Sequence, residues 1–185
     1  MPSQGWISPL NLSPASTGVA GTTLATAATL AISPTSSTAP DYILPAEWLT
    51  QGGILRFTAN GIFTCGSTAT NATFALMYGG TGGVVLATTG PLAMLVNSTT
   101  LSWELEALLT CRASGTSGTA WTQGNVSGIV ASVSQSTSRM DSSVFGTPAV
   151  ATIDTTAAKA LVLNGTLSQI TGSPTIICHQ WLIEG

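Results

Sequence analysis

The clearest pattern in the chain is the alternation in Leu101-Ser102-Trp103-Glu104-Leu105-Glu106-Ala107-Leu108-Leu109-Thr110-Cys111-Arg112. The odd-numbered positions are apolar and the even-numbered ones are polar, with Leu108 as the exception. Because successive side chains of a strand point to opposite faces, a period of two predicts a β-strand with one face in the core. Trp103 is then expected to point inward, and Glu104 and Glu106 to point outward.

The same alternation recurs on both sides of this stretch. Gly53 to Cys65 repeats it, with Ile62 as the exception, and shorter alternating runs follow towards the C-terminus. No segment has the 3.6-residue period of a helix, and only Ala46–Thr50 could form a helical turn. Many strands separated by polar turns predict an all-β sandwich or barrel, and the long Gly53–Cys65 strand favours an antiparallel jelly-roll sandwich.

The N-terminal part of the chain has a different composition. Residues 1–40 carry no charged side chain and contain several prolines, which helices and central strands exclude. We therefore predict an extended N-terminal arm over residues 1–20 and one sandwich domain over residues 21–185, with a strand at Leu24–Ile32. The candidate interface residues of the arm are Trp6, Ile7, Leu10 and Leu12. They predict contact with a neighbouring subunit, and a disordered tail is the alternative.

The low content of charged residues argues against several classes of function. Charged residues make up 6% of the chain, and the net charge is −3, whereas a typical soluble protein has about 25% charged residues. Four basic residues are too few to neutralise a phosphate backbone, which argues against nucleic acid as a partner. No apolar run is long enough to predict a membrane span, and the N-terminus lacks the features of a signal peptide. So little surface charge predicts that other subunits cover much of the surface.

Two glutamates on one strand are the nearest approach to a catalytic pair. Glu104 and Glu106 are two positions apart, so their side chains lie on one face about 6–7 Å apart, a spacing that glycoside hydrolysis can use. They lie on the outward face with Arg112, and Arg56 is expected on a neighbouring strand. A solvated or salt-bridged face is therefore predicted, and not a catalytic site.

The single histidine, His179, lies in an apolar strand-like segment. A catalytic triad would need a serine beside it and either Asp154 or Asp141, and the sequence shows no cluster of metal ligands around it. We predict a structural or interface histidine. We accordingly expect that the chain is not an enzyme and needs neither a cofactor nor a metal.

The cysteines and the glycine-rich segment also have simple interpretations. Cys65, Cys111 and Cys178 match no zinc or redox spacing, which predicts three buried thiols, with one disulfide plus a free thiol as the alternative. The segment Gly79-Gly80-Thr81-Gly82-Gly83 lacks the lysine and the following helix of a phosphate-binding loop, so it predicts a hairpin turn.

The tryptophans separate into two groups. Trp48 and Trp103 are predicted to lie in the core, whereas Trp6 and Trp121 fall in segments that look exposed. Exposed tryptophan is typical of interfaces and also stacks on sugars. Trp121 is therefore a candidate interface residue, with loose packing and sugar binding as alternatives.

Several stretches resemble the jelly-roll virion proteins of tailed bacteriophages, and together the resemblance covers about residues 20–185. The first is Ile43-Leu44-Pro45-Ala46-Glu47-Trp48-Leu49, followed by Gly53-Ile54-Leu55-Arg56-Phe57-Thr58-Ala59-Asn60-Gly61. The alternating stretch at 101–112, the turn Gly115-Thr116-Ser117-Gly118-Thr119 and the segment Ile153-Asp154-Thr155-Thr156-Ala157-Ala158-Lys159-Ala160-Leu161 are similar to the same family.

The resemblance implies a small jelly roll that works as a homotrimer on the outside of a phage particle. Members of the family are capsid decoration proteins, head fibres or minor tail proteins. The expected function is that of a capsid decoration (cement) protein, assembled in the host cytoplasm and located on the outer surface of the virion. Its expected partners are its own copies and the major capsid protein of the phage head, with no nucleic acid and no membrane. The alternative is a minor tail or receptor-binding, carbohydrate-binding module with Trp121 and the polar loops of Gly115–Asn125 at an exposed tip. The resemblance supplies no catalytic residue.

Overall fold

The computed structural model describes residues 9–14, 29–32, 42–80, 82–94, 96–129, 139–146, 150–168, 171 and 174–185. Over these ranges the protein is built from strands and turns, and no helix occurs. The strands are β1 (Pro9–Pro14), β2 (Thr29–Ile32), β3 (Tyr42–Leu44), β4 (Ile54–Cys65), β5 (Asn71–Tyr78), β6 (Val84–Thr88), β7 (Leu92–Ala93), β8 (Ser98–Ala113), β9 (Gly118–Ile129), β10 (Arg139–Gly146), β11 (Ala151–Ile153), β12 (Lys159–Leu167) and β13 (Thr175–Glu184).

The strands form two antiparallel sheets. The seven-stranded sheet has the order β1-β13-β4-β8-β9-β10, with β11 also paired to β9. The six-stranded sheet has the order β2-β12-β5-β6, with β3 paired to β12 and β7 paired to β5. Neighbours in both sheets are mostly distant in sequence, so the fold depends on long-range pairing.

An aromatic cluster joins the two sheets across the core. Phe63 of β4 and Trp103 of β8 belong to the seven-stranded sheet, and Phe74 of β5 belongs to the six-stranded sheet. The ring centroids of Phe74 and Trp103 lie 4.7 Å apart, and that of Phe63 lies 5.9 Å from Phe74 and 6.1 Å from Trp103. All three residues are buried, which confirms an all-β, sandwich-like arrangement and the core position predicted for Trp103.

The alternation read from the sequence is present in β4 and β8. In β8 the odd-numbered residues from Trp103 to Cys111 are buried, and the even-numbered residues between them lie on the outside. Leu108, which breaks the pattern, is 49% exposed. The two main strand predictions are thus confirmed, and Leu108 points away from the core.

The prediction for Trp48 needs correction, whereas the predicted exposure of Trp121 is confirmed. Trp48 is 38% exposed and not in the core, because it lies in a non-helical turn outside the alternating strands, where its ring covers Gly185 and keeps one side in solvent. Trp121 is 37% exposed, as predicted, and it lies on β9, which is next to β10 at the end of the seven-stranded sheet's order. The carbohydrate-binding alternative expected it at a loop tip. The loop in this region is limited to residues 114–117, since the small residues after it continue the sheet.

The N-terminal region contributes strands to both sheets. β1 pairs with β13 at the edge of the seven-stranded sheet, and β2 pairs with β12. Of the predicted strand at Leu24–Ile32, Thr29–Ile32 form a strand, and residues 24–28 lie outside the described residues. The boundary of an arm at residue 20 stays a prediction.

Candidate functional site

The outward side of the seven-stranded sheet carries the charged and aromatic residues that the sequence analysis considered as functional candidates. Here it is called the outer face, and it consists of the outward residues of β4, β8 and β9. The register aligns these residues in four rows across the three strands. The rows are Ile54–Thr110–Trp121, Arg56–Leu108–Gln123, Thr58–Glu106–Asn125 and Asn60–Glu104–Ser127.

One end of the outer face is apolar. Ile54 is 55% exposed, Leu108 49% and Trp121 37%. The register places them in two adjacent rows on three neighbouring strands, so they form one patch, named here the apolar patch. Surface apolar residues that cluster in this way, with an aromatic among them, are typical of a contact surface.

An ion pair borders the apolar patch. Arg56 Nη2 lies 2.7 Å from Glu106 Oε1, and Arg56 Nε donates a hydrogen bond to the same oxygen at 3.0 Å. Arg56 Nη1 is also 3.9 Å from Glu184 Oε2. This confirms the predicted proximity of Arg56 to the glutamates. Because both main partners are half exposed, the pair contributes only about 0–1 kcal/mol.

The other two charges of the outer face have no ion-pair partner within the described part of the chain. Glu104 and Arg112 are both exposed and lie on β8. The salt bridges found among the described residues involve only Arg56 with Glu106 and Glu184. Glu104 and Glu106, which the sequence grouped together, therefore differ in their surroundings: the second is neutralised and the first is not.

A shallow groove of about 440 Å³ lies at the end of the outer face opposite the apolar patch. It runs beside Glu104, and its polar lining includes Asn60, Ser102 and Ser127. The groove is open, so it suits a side chain or a ligand that approaches from the solvent.

The remaining candidate interface residues lie in or near β1. Leu10 and Leu12 are in β1, where Leu12 pairs through its backbone with Leu182 of β13. Trp6 and Ile7 are outside the described residues. The structure therefore places Trp121 on the outer face, while the contacts predicted for the arm stay predictions.

His179 lies in β13, where the register with β4 shifts between Cys178 and Gln180. The surroundings of its side chain are outside the described part of the structure, so its predicted structural or interface role stays a prediction. No group of three or more His, Cys, Asp or Glu residues suited to a metal occurs among the described residues.

The three cysteines are buried and free, as predicted, and they form no disulfide. Burial raises the pKa of the Cys65 and Cys111 thiols above the usual value. Neutral buried thiols are poor nucleophiles, because the thiolate is the reactive form. The chemistry of the described surface thus rests on its carboxylates, guanidinium groups and apolar side chains.

Sequence reasoning missed two members of the apolar patch. Ile54 was assigned no role, and Leu108 was noted only as an exception to the alternation. That exception was the available signal, because an apolar residue at an outward strand position gains burial free energy only when another surface covers it. Ile54 gave no such signal, because it is the first residue of β4 and its partner on β8, Thr110, is far away in sequence.

The described residues contain no helix that could cross a membrane. Comparison of the chain with protein-family models, with curated proteins and with solved structures gives no match.

Proposed function

We propose that this protein is a structural virion protein of a tailed phage, a homotrimeric jelly roll that decorates the outer surface of the capsid. The observation that carries the proposal is the apolar patch on the outer face of an all-β protein with only 6% charged residues. Such a surface is suited to lasting contact with other protein subunits.

The strand order supports the jelly-roll part of the proposal. Leaving aside β3, β7, β9, β10 and β11, eight strands remain, and the first of them pairs with the last (β1 with β13). The second pairs with the seventh (β2 with β12), the third with the sixth (β4 with β8) and the fourth with the fifth (β5 with β6). A jelly roll is an eight-stranded double sheet built from two Greek keys, and this nested pairing is what its wrapped connections produce.

Three of the stretches that resemble virion proteins meet at one buried residue. The hydroxyl of Thr155 accepts a hydrogen bond from the N–H of Gly115 at 2.8 Å, and the N–H of Thr155 donates to the carbonyl of Gly115 at 3.0 Å. The carbonyl of Thr155 accepts from the N–H of Glu47 at 2.8 Å. The three stretches are thus joined by hydrogen bonds at one place in the fold.

The mechanism in this proposal is binding and not catalysis. Contact with the shell buries apolar area, which contributes about 25 cal/mol per Å² before the cost of association. Several linked subunits then strengthen attachment through effective concentration. The major capsid protein of the phage head is the proposed partner.

The test is co-sedimentation of the purified protein with phage heads that lack it, and separately with isolated tails. Saturable binding to heads is expected, together with a trimeric mass in light scattering. A deletion of residues 1–8, which leaves β1 paired with β13, should weaken head binding and keep the trimer if the N-terminal arm is an anchor. Failure to bind heads would contradict the decoration role, and unchanged binding of the deleted chain would contradict the anchoring role.

One observation favours a second candidate function, a receptor-binding or carbohydrate-binding tail module. Trp121 lies on the outer face with Gln123 and Asn125 following it on the same side of β9. An indole ring followed by side-chain amides can stack on a sugar ring and bind its hydroxyls. Binding to tails and not to heads in the same experiment would favour this alternative.

A further inference from the structure

We propose that the outer face binds a second copy of this chain about a two-fold axis near Leu108, so that Arg112 of each copy pairs with Glu104 of the other. This inference uses the same apolar patch as the proposed function, but it does not require a phage particle. In a homotrimer, a contact of this kind would join two trimers.

The opposite charges of Glu104 and Arg112 on β8 are too far apart to pair with each other. Glu104 and Arg112 are both exposed on β8, and neither has an ion-pair partner among the described residues. They are eight positions apart, which is roughly 26 Å along a strand. Because the chain has so few charges, β8 has one acidic residue near one end and one basic residue near the other. Each of them is available to pair with a charge on another molecule.

The two charges are placed symmetrically in the sequence about Leu108. Glu104 lies four positions before Leu108, and Arg112 lies four positions after it, at the β-bulge where the register with β9 shifts between Cys111 and Ala113. In a two-fold interface, residue i of one copy contacts residue j of the other, and j contacts i. When two β8 strands face each other in opposite directions with Leu108 at the centre, both Arg112–Glu104 pairs form at once. A patch with two like charges in these positions would repel its own copy.

The surface between the two charges is suited to contact in shape and composition. Leu108 of the apolar patch lies at the axis, and Ile54 and Trp121 lie in the adjacent row; tryptophan is typical of residues that dominate binding energy. The groove beside Glu104 gives space for the long side chain of Arg112 from the other copy. The Arg56 guanidinium near the axis is already compensated by Glu106 within its own chain.

Sedimentation velocity and light scattering over a range of concentrations test the inference. The expected species contain an even number of 18.6 kDa chains: a dimer, or a hexamer if trimers are joined. Arg112→Glu and Glu104→Arg should each raise the dissociation constant about tenfold or more, which corresponds to about 1.4 kcal/mol per factor of ten. The double variant Arg112→Glu/Glu104→Arg should restore association, because it reverses both charges of each pair.

The control is Lys159→Glu, a charge reversal on β12 of the other sheet, which should leave the dissociation constant unchanged. A double variant that stays as weak as the single ones would overturn the Arg112–Glu104 pairing. Species limited to monomers and trimers at every concentration would overturn the two-fold contact, whether or not the protein binds heads.

A cross-linking measurement covers the case in which the charge variants fold poorly. Because the three native cysteines are buried, Leu108→Cys introduces one reactive thiol, which a short bismaleimide should couple to the same position in the second copy. Ser67→Cys, at an exposed turn, is the matched control and should couple poorly. Equal coupling of the two variants would contradict a two-fold axis near Leu108.

Discussion

At the scale of single residues, Trp103 shows which part of a side chain's surroundings can be predicted from the sequence and which part depends on strand pairing. Its partners in the register are Gly61 on β4 and Gly128 on β9, so neither residue directly opposite the indole carries a side chain. The freed space allows Phe74 of the opposite sheet to pack at 4.7 Å from the indole. The alternation indicates that Trp103 points inward, but only the pairing of distant strands brings the two glycines beside it.

Tyr78 gives a residue-scale prediction about pH. Burial, with a smaller contribution from the charge of Asp154, raises the pKa of Tyr78 to about 12 from the ordinary value of 10.0, and its hydroxyl donates to the Asp154 carbonyl at 2.7 Å. The unfolded chain therefore loses this proton at lower pH than the folded one. The stabilisation from a protonated Tyr78 is complete below pH 10 and is lost as the pH rises towards about 12.

The free energy of unfolding in urea, measured from pH 9 to 12, should fall across this window. The variant Tyr78→Phe should be less stable at neutral pH and should show a flatter alkaline slope, since it lacks the ionising hydroxyl. An identical alkaline slope in the variant would show that another group causes the loss.

At the scale of elements, β12 differs most from a simple alternating strand. Residues Leu161 to Gly165 are all buried, so this strand is covered on both faces. Asn164 lies within this run, with its amide nitrogen donating to Met77 Sδ and its Oδ1 without a hydrogen-bond partner among the described residues. A buried amide oxygen without a partner costs free energy, so β12 is held in place by packing and by backbone pairing with β2, β3 and β5, and not by the Asn164 side chain.

The hairpin between β5 and β6 gives an element-scale prediction with a matched control. A Cβ at Gly83 would collide with the backbone carbonyl of Tyr78, whereas a Cβ at Gly82 would meet no atom within 4 Å. Gly83→Ala should therefore destabilise the protein by about 1–3 kcal/mol or more, through displacement of the hairpin backbone.

Gly82→Ala should change the free energy of unfolding by less than about 0.5 kcal/mol. Urea denaturation of both variants beside the wild type makes the comparison. Equal stabilities of the two variants would mean that the hairpin can shift without cost.

At the scale of the whole molecule, stability rests on burial and strand pairing and not on charge. The core residues of the two sheets form one cluster, and the described ion pairs are half exposed or longer than 3.5 Å. Salt screens exposed charges strongly but leaves apolar burial almost unchanged.

Raising NaCl from about 0.05 to about 0.5 M should therefore change the free energy of unfolding by less than about 1 kcal/mol. The measurement is urea unfolding at fixed protein concentration, since guanidinium is itself a salt. Association through Arg112 and Glu104 should weaken over the same range, so the two responses should separate. A loss of stability above about 2 kcal/mol would point to ion pairs that matter to the fold.

The local features of this protein follow from patterns within single stretches of the chain. The period of two in residues 53–65 and 101–112 predicts strands, and it assigns their inward and outward residues, including the outward position of Glu104 and Glu106. It predicts free buried thiols and a surface poor in charge as well. These features follow from neighbours in the chain, because alternation is a property of each strand alone.

Features that involve residues far apart in sequence follow only from the tertiary structure. The register brings Ile54, Leu108 and Trp121 into one patch and Arg56 within reach of Glu106, although they belong to three separate strands. It also leaves Trp48 half exposed and places the exposed Trp121 on a sheet face. The physical reason is that strand pairing across 50 residues or more is set by the packing of the whole core, which no local pattern contains.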